Sequence, residues 1–315
     1  GPLSSPRIRA HGRLREVQAF GANLQNLDLE AELQDLPTLT GRVQLSGQNI
    51  VVQNTSISEI QVQADGEQGR VDGRLQLQAE LNRKLDFQTQ GHILRQDEGW
   101  TFNLPQGQGN FGELPFQWTQ SLQAELNSQG FELSWPQLVV GQGRISCTAS
   151  QTGDDIQAKL RASDLDLELI PDTGSYDLRG LADLQATISG SMAEPRMDMD
   201  LALRQLYMAP PGMSQVPTMQ LKASGTLSQG ELSTELSLQS DQDMQAQAEL
   251  KAPVQLSLRP FALTRPQTVQ GQVQAHLDLQ ALSRALLVDT QSLQGQLSCD
   301  LAVNGELPYP NLQGR

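Results

Sequence analysis

Aliphatic and polar residues alternate along most of this 315-residue chain. The alternation is clear in LQLQAEL, which starts at Leu75, and in VQAHLDL, which starts at Val273. Because successive side chains of a β-strand point to opposite faces, a period of two gives each strand one apolar and one polar face. Such runs recur about every 10 to 12 residues between Gly, Asn-Gly or Pro, which predicts on the order of 20 to 25 strands.

One pattern of Leu, Gly, Gly and Pro occurs twice, 115 residues apart. The first copy, LRGLADLQATISGSMAEP, runs from Leu178 to Pro195, and the second, LQGQLSCDLAVNGELPYP, runs from Leu293 to Pro310. A strand, a Gly turn and a Pro that return at a fixed period are typical of a repetitive β-array. We therefore place an internal repeat near residues 165–196 and 280–311.

The absence of a linker between the predicted strands bears on the domain organisation. No linker rich in Pro, Ser or charge interrupts the chain, so we predict one continuous segment over residues 6–315. We interpret residues 1–5, GPLSS, as the remnant of an expression tag, and we expect the whole to be a fragment of a longer protein.

The charge balance excludes several partners. The formal net charge of −14 disfavours nucleic acid, because phosphates would be repelled and no Lys/Arg cluster offsets the charge. It also disfavours binding flat to an anionic membrane. No run of about 18 apolar residues is present, so the sequence predicts no membrane-spanning helix.

The residues that could carry chemistry do not form a site in the sequence. His11, His92 and His276 have no partner at metal-ligand spacing, and we expect all three on a solvated surface. Cys147 and Cys299 each share an apolar face with their neighbours, which favours two buried thiols over a disulfide. We find no catalytic motif, and we predict that the protein is not an enzyme and has no cofactor or metal.

Three further patterns have more than one interpretation. The acidic runs SDLDLELIP, from Ser163, and MDMDLAL, from Met197, are either Ca²⁺ ligands or, as we prefer, solvated strand faces. The glycines of the two GQG sequences, at residues 107–109 and 141–143, are expected in turns rather than at a phosphate. A stripe of Leu279, Leu282, Leu286 and Leu287 predicts a short helix that partitions the apolar face or covers a sheet end.

A sheet with one apolar face can pack on a second sheet, close into a barrel, or curl into an open gutter. A membrane barrel needs aromatic girdles, whereas Trp and Tyr number only three each. A sandwich core usually ends within about 150 residues, whereas this pattern continues through the chain. We therefore predict an all-β fold, an elongated repetitive sheet curled lengthwise into a gutter with one or two short helices.

The groove of such a gutter would be aliphatic and long, and acyl chains are its natural contents. The predicted lining residues are Val43, Leu45, Leu75, Leu77, Leu81, Ile145, Cys147, Leu184, Ile188, Leu201, Leu203, Leu236, Leu238, Leu256, Leu258, Val273, Leu277, Leu297, Cys299, Leu301 and Val303.

The repeated unit, from Leu178 to Pro195 and from Leu293 to Pro310, resembles the periplasmic part of the TamB family. This family lies within the AsmA-like group, which is similar to the eukaryotic bridge-like lipid transfer proteins. The resemblance implies a β-taco around a hydrophobic groove, in the periplasm of a Gram-negative bacterium. It also implies an inner-membrane anchor and an outer-membrane barrel partner, TamA, both reached through regions outside this fragment.

Three functions are compatible with these patterns. The resemblance implies phospholipid transport between the inner and outer membranes, with acyl chains in the groove. The alternative is a scaffold, or chaperone, for the assembly of outer-membrane β-barrel proteins, which would act through exposed strand edges. A third interpretation is a purely structural or adhesin-like array whose apolar lining is packed shut.

Overall fold

The computed structural model describes residues 8–19, 22–35, 40–52, 55–81, 83–96, 99–169, 177–209, 218–241, 244–264, 266–278, 295–307 and 309–314. These residues form 22 strands and one 3-10 turn, Leu167–Leu169. Twenty strands belong to one sheet, which confirms the all-β, repetitive class predicted from the alternation. Among the described ranges, no helix has the length and apolarity that a membrane crossing requires. The predicted stripe from Leu279 to Leu287 lies outside them.

The chain divides into two compact units, unit 1 (Gly1–Gly141 with Ile145–Thr148) and unit 2 (Gln142–Arg144 with Ala149–Arg315). Unit 1 contains β1 (Ile8–Ala19), β2 (Ala22–Asp35), β3 (Thr40–Val52), β4 (Thr55–Glu67), β5 (Arg70–Glu80), β6 (Lys84–Gln96), β7 (Gly99–Phe111), β8 (Leu114–Trp118), β9 (Leu122–Asn127) and β10 (Gly130–Val140). The boundary between the units falls in β11 (Gly143–Thr152).

Strands β1 to β7 of unit 1 form an antiparallel meander in chain order. The short strands β8 and β9 each pair with β7 on one side and with β10 on the other. They therefore share one position in the sheet, with a break at residues 119–121 between them.

Unit 2 is a second meander. It contains β12 (Asp155–Asp166), β13 (Asp177–Ser191), β14 (Pro195–Ala209), β15 (Met219–Ser228), β16 (Glu231–Ser240), β17 (Gln245–Pro253), β18 (Leu256–Leu258), β19 (Phe261–Leu263), β20 (Thr268–Asp278), β21 (Gln296–Glu306) and β22 (Asn311–Gly314). Strands β12 to β17 pair in order, and β17 continues directly to β20, β21 and β22. β18 and β19, which lie between β17 and β20 in the chain, form a separate two-stranded sheet.

The repeat in the sequence is also a repeat in backbone conformation. Gly180, near the start of β13, and Gly295, just before β21, have φ values of +136° and +133°. Gly190 and Gly305, near the ends of the same strands, have φ values of +95° and +131°. Glycine reaches such angles without the steric cost of a Cβ. A glycine with a positive φ therefore lies near each end of β13 and of β21.

A strand irregularity in β3 keeps apolar side chains on one face. Asn49 has a φ of +52°, in the left-handed region, and its amide donates a hydrogen bond of 2.9 Å to the Gln25 side chain. Before Asn49 the apolar positions are odd, as at Leu45, and after it they are even, as at Ile50. Asn49 has no register partner, yet β3 pairs with β2 and β4 in the same register on both sides of it. The neighbouring strands therefore share the reversal of the alternation, and the apolar face continues across it.

Candidate apolar ligand face

Apolar side chains of unit 2 form a row that crosses its strands. The unit 2 row consists of residues paired in register from β12 to β21, which are Ala162, Leu184, Leu201, Ala223, Leu236, Ala248, Val273 and Leu301. A second row, two positions away, contains Leu165, Ala182, Leu203, Leu221, Leu238, Ala246, Ala275 and Cys299. Neither row contains a charged residue. With strands about 4.8 Å apart, each row is roughly 34 Å long.

Unit 1 has a similar row on its apolar face. The unit 1 row consists of Gly12, Leu29, Leu45, Val62, Leu75, Thr89, Gly107 and Trp118, from β1 to β8. Its neighbour two positions away contains Leu14, Leu27, Gly47, Ile60, Leu77, Phe87, Gly109 and Phe116. Aliphatic side chains dominate from β2 to β5, and aromatic rings replace them at β6 and β8.

These rows are only half buried. Among the described residues, no large side chain is less than 2% exposed, and the few buried apolar residues include Leu227 and Val303. Leu45 and Leu236 are of intermediate exposure, like most members of the rows. An interior packed shut would bury such residues almost completely. Within each unit, the apolar face therefore remains partly accessible.

Most of the predicted lining residues lie on these faces. In unit 1 one face carries Val43, Leu45, Leu75 and Leu77. In unit 2 one face carries Leu184, Ile188, Leu201, Leu203, Leu236, Leu238, Val273, Cys299, Leu301 and Val303. Leu277 and Leu297 pair with each other on β20 and β21.

Other predicted lining residues lie elsewhere. Leu81 is in the turn after β5 and is 42% exposed. Leu256 and Leu258 are on β18, in the separate hairpin, so no register pair links them to the rows of the main sheet. Ile145 and Cys147 are half-buried residues of β11.

Four aromatic rings form a cluster on the apolar face of unit 1, and the sequence did not predict it. The Trp118 ring centroid lies 5.8 Å from that of Phe87 and 5.6 Å from that of Trp135, and the Phe116 centroid lies 6.0 Å from that of Phe87. We call these four residues the aromatic cluster. Trp118 is only 4% exposed. The low overall aromatic content pointed away from ring packing, whereas the position of all three Trp residues between 100 and 135 was a usable signal.

The glycines under these rings correct a prediction. We expected Gly107 and Gly109 in a turn, but both lie within β7. A Cβ on Gly107 would be 2.1 Å from the Trp118 ring, and one on Gly109 would be 2.6 Å from the Phe116 ring. These glycines therefore leave room for rings of the neighbouring strand. In the other GQG sequence, Gly141 has a φ of +59° and does lie in a turn.

The opposite face of the sheet carries exposed ion pairs across and along the strands. Hydrogen bonds from arginine lower the pKa of three carboxyl groups below the usual value, in the pairs Arg42–Asp65, Arg70–Asp72 and Arg196–Asp198. Cross-strand pairs of opposite charge favour one register over another. The polar face thus supports strand pairing through Arg42–Asp65, which joins β3 and β4.

The acidic runs contact arginines instead of forming a cation site. Asp164, at a bulge with a φ of +53°, forms an ion pair with Arg204, whose Nε also lies 2.8 Å from Asp183 Oδ2. The Asp164 N–H donates to Asp183 Oδ1 at 2.9 Å. In the second run, Asp198 accepts hydrogen bonds from Arg196 and from the Thr226 hydroxyl. The Asp164–Asp183 bond joins the bulge of β12 to β13, and the Asp198–Thr226 bond joins β14 to β15.

No group of three or more His, Cys, Asp or Glu residues within the described ranges has the geometry of a metal site. His11 Nδ1 lies 3.3 Å from Glu30 Oε1, and His276 Nδ1 lies 2.8 Å from the Ser298 hydroxyl. Cys147 and Cys299 are both free thiols of intermediate exposure. Each of the two histidine contacts joins residues of neighbouring strands, β1 with β2 and β20 with β21.

A cavity of about 900 Å³ runs across eight strands of unit 1, and it is distinct from the apolar face. From β3 to β7 each strand contributes three successive residues, such as Gln44, Leu45 and Ser46, whereas β1 and β2 contribute only alternate polar residues, such as Asp28 and Glu30. Leu77 and Ile60, which flank the unit 1 row on the apolar face, do not line the cavity. The cavity therefore lies over the polar face of the sheet. Polar side chains, many of them glutamines, line it on both sides.

Comparison with known proteins identifies the family. The chain has no match among curated proteins, and no solved structure matches it. The family model described as the TamB N-terminal domain matches residues 1–315, which is the whole chain. The protein therefore belongs to the TamB family, whose members are proteins of the Gram-negative envelope.

Proposed function

We propose that this chain carries phospholipids by holding their acyl chains against the half-buried apolar rows of each unit. The observation that carries the proposal is the unit 2 row, in which Leu184, Leu201 and Leu236 are in register and of intermediate exposure. Water-exposed apolar surface of this extent is costly unless a ligand or partner covers it. A non-enzymatic carrier would use it as the binding surface.

The dimensions and chemistry of the row favour acyl chains. A membrane leaflet contributes about 15 Å to the hydrocarbon core, so a row of roughly 34 Å is long enough for two acyl chains end to end. Aliphatic side chains attract such chains without recognising a specific atom. The headgroup would stay at the edge of the apolar face, in water, because burying a charge without a partner is costly.

Family membership supports the cellular setting of the proposal. In the envelope, the full-length protein would be anchored in the inner membrane and would reach the outer-membrane barrel TamA. Phospholipid could then move through the periplasm along the apolar rows of the sheet.

The test is native mass spectrometry with lipid extraction on the chain, expressed in the periplasm and purified without detergent. We expect several phospholipids per chain. Leu236→Asp should reduce their number, because it places a carboxylate in the middle of the unit 2 row. The matched control is Ser237→Asp, on the opposite face of the same strand, where Lys222 is the cross-strand neighbour. This control should retain the lipids.

Two results would argue against lipid carriage. A lipid-free mass for the unsubstituted chain would favour the scaffold function in outer-membrane protein assembly. Equal lipid occupancy in both variants, with the β-sheet circular dichroism spectrum unchanged, would show that the lipids bind somewhere other than the unit 2 row.

A further inference from the structure

The two tryptophans of the aromatic cluster differ in their hydrogen bonding. Trp118 Nε1–H donates to the carbonyl oxygen of Leu104 at 3.1 Å. Trp135 Nε1 is buried and has no acceptor within the described part of the protein. A buried indole N–H normally finds an acceptor, and leaving it without one is costly. Trp135 is therefore the member of the cluster whose hydrogen-bond donor is unused.

Trp135 lies between the segment of β10 that pairs with β9 and the segment that pairs with β8. Strand β10 pairs with β9 as far as Ser134 and with β8 from Val139 onward, so residues 135–138 are outside both ladders. Pro136 has no N–H to donate. Trp118, by contrast, pairs in register with Gly107. A small movement of Trp135 therefore breaks no backbone hydrogen bond with β8 or β9.

The aromatic cluster lies at the end of the unit 1 row. An acyl chain placed along Leu45, Val62 and Leu75 would run toward Trp118 and the Trp135 ring that packs against it. The ring contacts made by Trp118 and Trp135 are with aromatic residues, not with a cation. Such surroundings favour a neutral oxygen acceptor over a phosphate.

We propose that the aromatic cluster is an acyl-carbonyl binding site, in which Trp135 Nε1–H donates a hydrogen bond to the carbonyl oxygen at the head of a bound acyl chain. The chain itself lies along the unit 1 row. The proposal rests on the proposed function, because it names the place where a carried lipid is held. The ester of a phospholipid and the carboxyl group of a fatty acid share the required oxygen.

Fluorescence quenching by brominated lipids tests the site. Trp100→Phe with Trp118→Phe leaves Trp135 as the only tryptophan, and Trp100→Phe with Trp135→Phe leaves Trp118. Each variant is incubated with phosphatidylcholine that carries bromine near the ester or near the methyl end. We expect Trp135 emission to be quenched most by bromine near the ester. Equal quenching from both positions, or none while lipid is bound, would overturn the proposal.

Affinity provides a second readout that does not depend on the double variants. Trp135→Phe keeps an aromatic ring and removes the donor, so it should weaken lipid binding about three- to tenfold. Trp100→Phe, the matched control, removes an exposed indole outside the aromatic cluster and should leave the affinity unchanged. An unchanged affinity in Trp135→Phe would contradict the proposal.

Two further comparisons separate the possible outcomes. Brominated fatty acid, used in parallel, identifies the lipid class, since quenching of Trp135 by either lipid supports the site. If the native mass spectrum shows lipid and Trp135 is not quenched by either probe, the cluster proposal alone fails. If no lipid binds at all, both this proposal and lipid carriage fail.

Discussion

The indole ring of Trp118 occupies the space in which Gly107, its cross-strand partner, would have a side chain. A Cβ on Gly107 would lie 2.1 Å from the Trp118 ring, well inside van der Waals contact. The ring therefore lies against the backbone of β7, where it is only 4% exposed. This relationship fixes the aromatic cluster to the sheet.

Gly107→Ala should destabilise the protein because the added methyl group displaces the Trp118 ring. Overpacking of this kind costs about 1–3 kcal/mol in the free energy of unfolding. Urea unfolding followed by tryptophan fluorescence measures the loss. The control is Gly73→Ala in β5, where the nearest atom to a new Cβ is the Gln63 carbonyl oxygen at 3.5 Å. An equal loss in both variants would show that the Trp118 contact is not the cause.

Asp183→Ala should weaken the bulge in unit 2. Asp183 Oδ1 accepts a hydrogen bond from the Asp164 N–H at 2.9 Å, and Asp183 Oδ2 lies 2.8 Å from Arg204 Nε. Loss of these bonds should cost roughly 1–2 kcal/mol of unfolding free energy, measured by chemical denaturation. Asp183→Asn keeps one acceptor oxygen and should cost less. The opposite ranking of the two variants would exclude this role.

Gln229→Asn should stabilise the hairpin that joins β15 and β16. Gln229 and Gly230 form its two-residue turn, with φ values of +52° and +74°. Both angles are those of a type I′ turn, for which Asn-Gly is the preferred pair. We expect a gain of roughly 0.5 kcal/mol, a fraction of the cost of a left-handed residue. The measurement is the thermal unfolding temperature of Gln229→Asn. The control is Gln229→Val, which should be less stable than the original chain.

The Arg196–Asp198 pair should make stability depend on pH in the acid range. Hydrogen bonds from Arg196 and from Thr226 lower the pKa of Asp198 in the folded state. The contribution of Asp198 is therefore complete above its unfolded pKa of about 4 and is lost as the pH falls through its folded pKa. The stability difference from Asp198→Asn, measured by denaturation at several pH values, should shrink below about pH 4. A difference that is constant down to low pH would contradict this assignment.

Local sequence patterns were sufficient to predict the strands. Alternation at Leu75 and Leu77 placed both residues on one face of β5, and the repeat at Gly180 and Gly295 matched two backbone positions of the same conformation. Both features depend only on the geometry of neighbouring residues in one strand. They can therefore be read without knowledge of the rest of the sheet.

Contacts between distant residues were not predictable in the same way. Leu256 and Leu258 alternate like any strand of the sheet, yet β18 forms its own hairpin because β17 pairs directly with β20. Gly107 looked like a turn residue, and only the cross-strand position of Trp118 explains it. Pairing partners and register decide both cases, and neither is encoded in a local period.

The sequence by itself determined the class of fold and the apolar face of most strands, because a period of two is a local property of the backbone. The tertiary structure alone decided that Leu201 and Leu236 lie in one row, that Trp135 lacks an acceptor among the described residues, and that the row is half buried. These properties depend on which strands pair and in which register, and therefore on contacts between residues far apart in the chain.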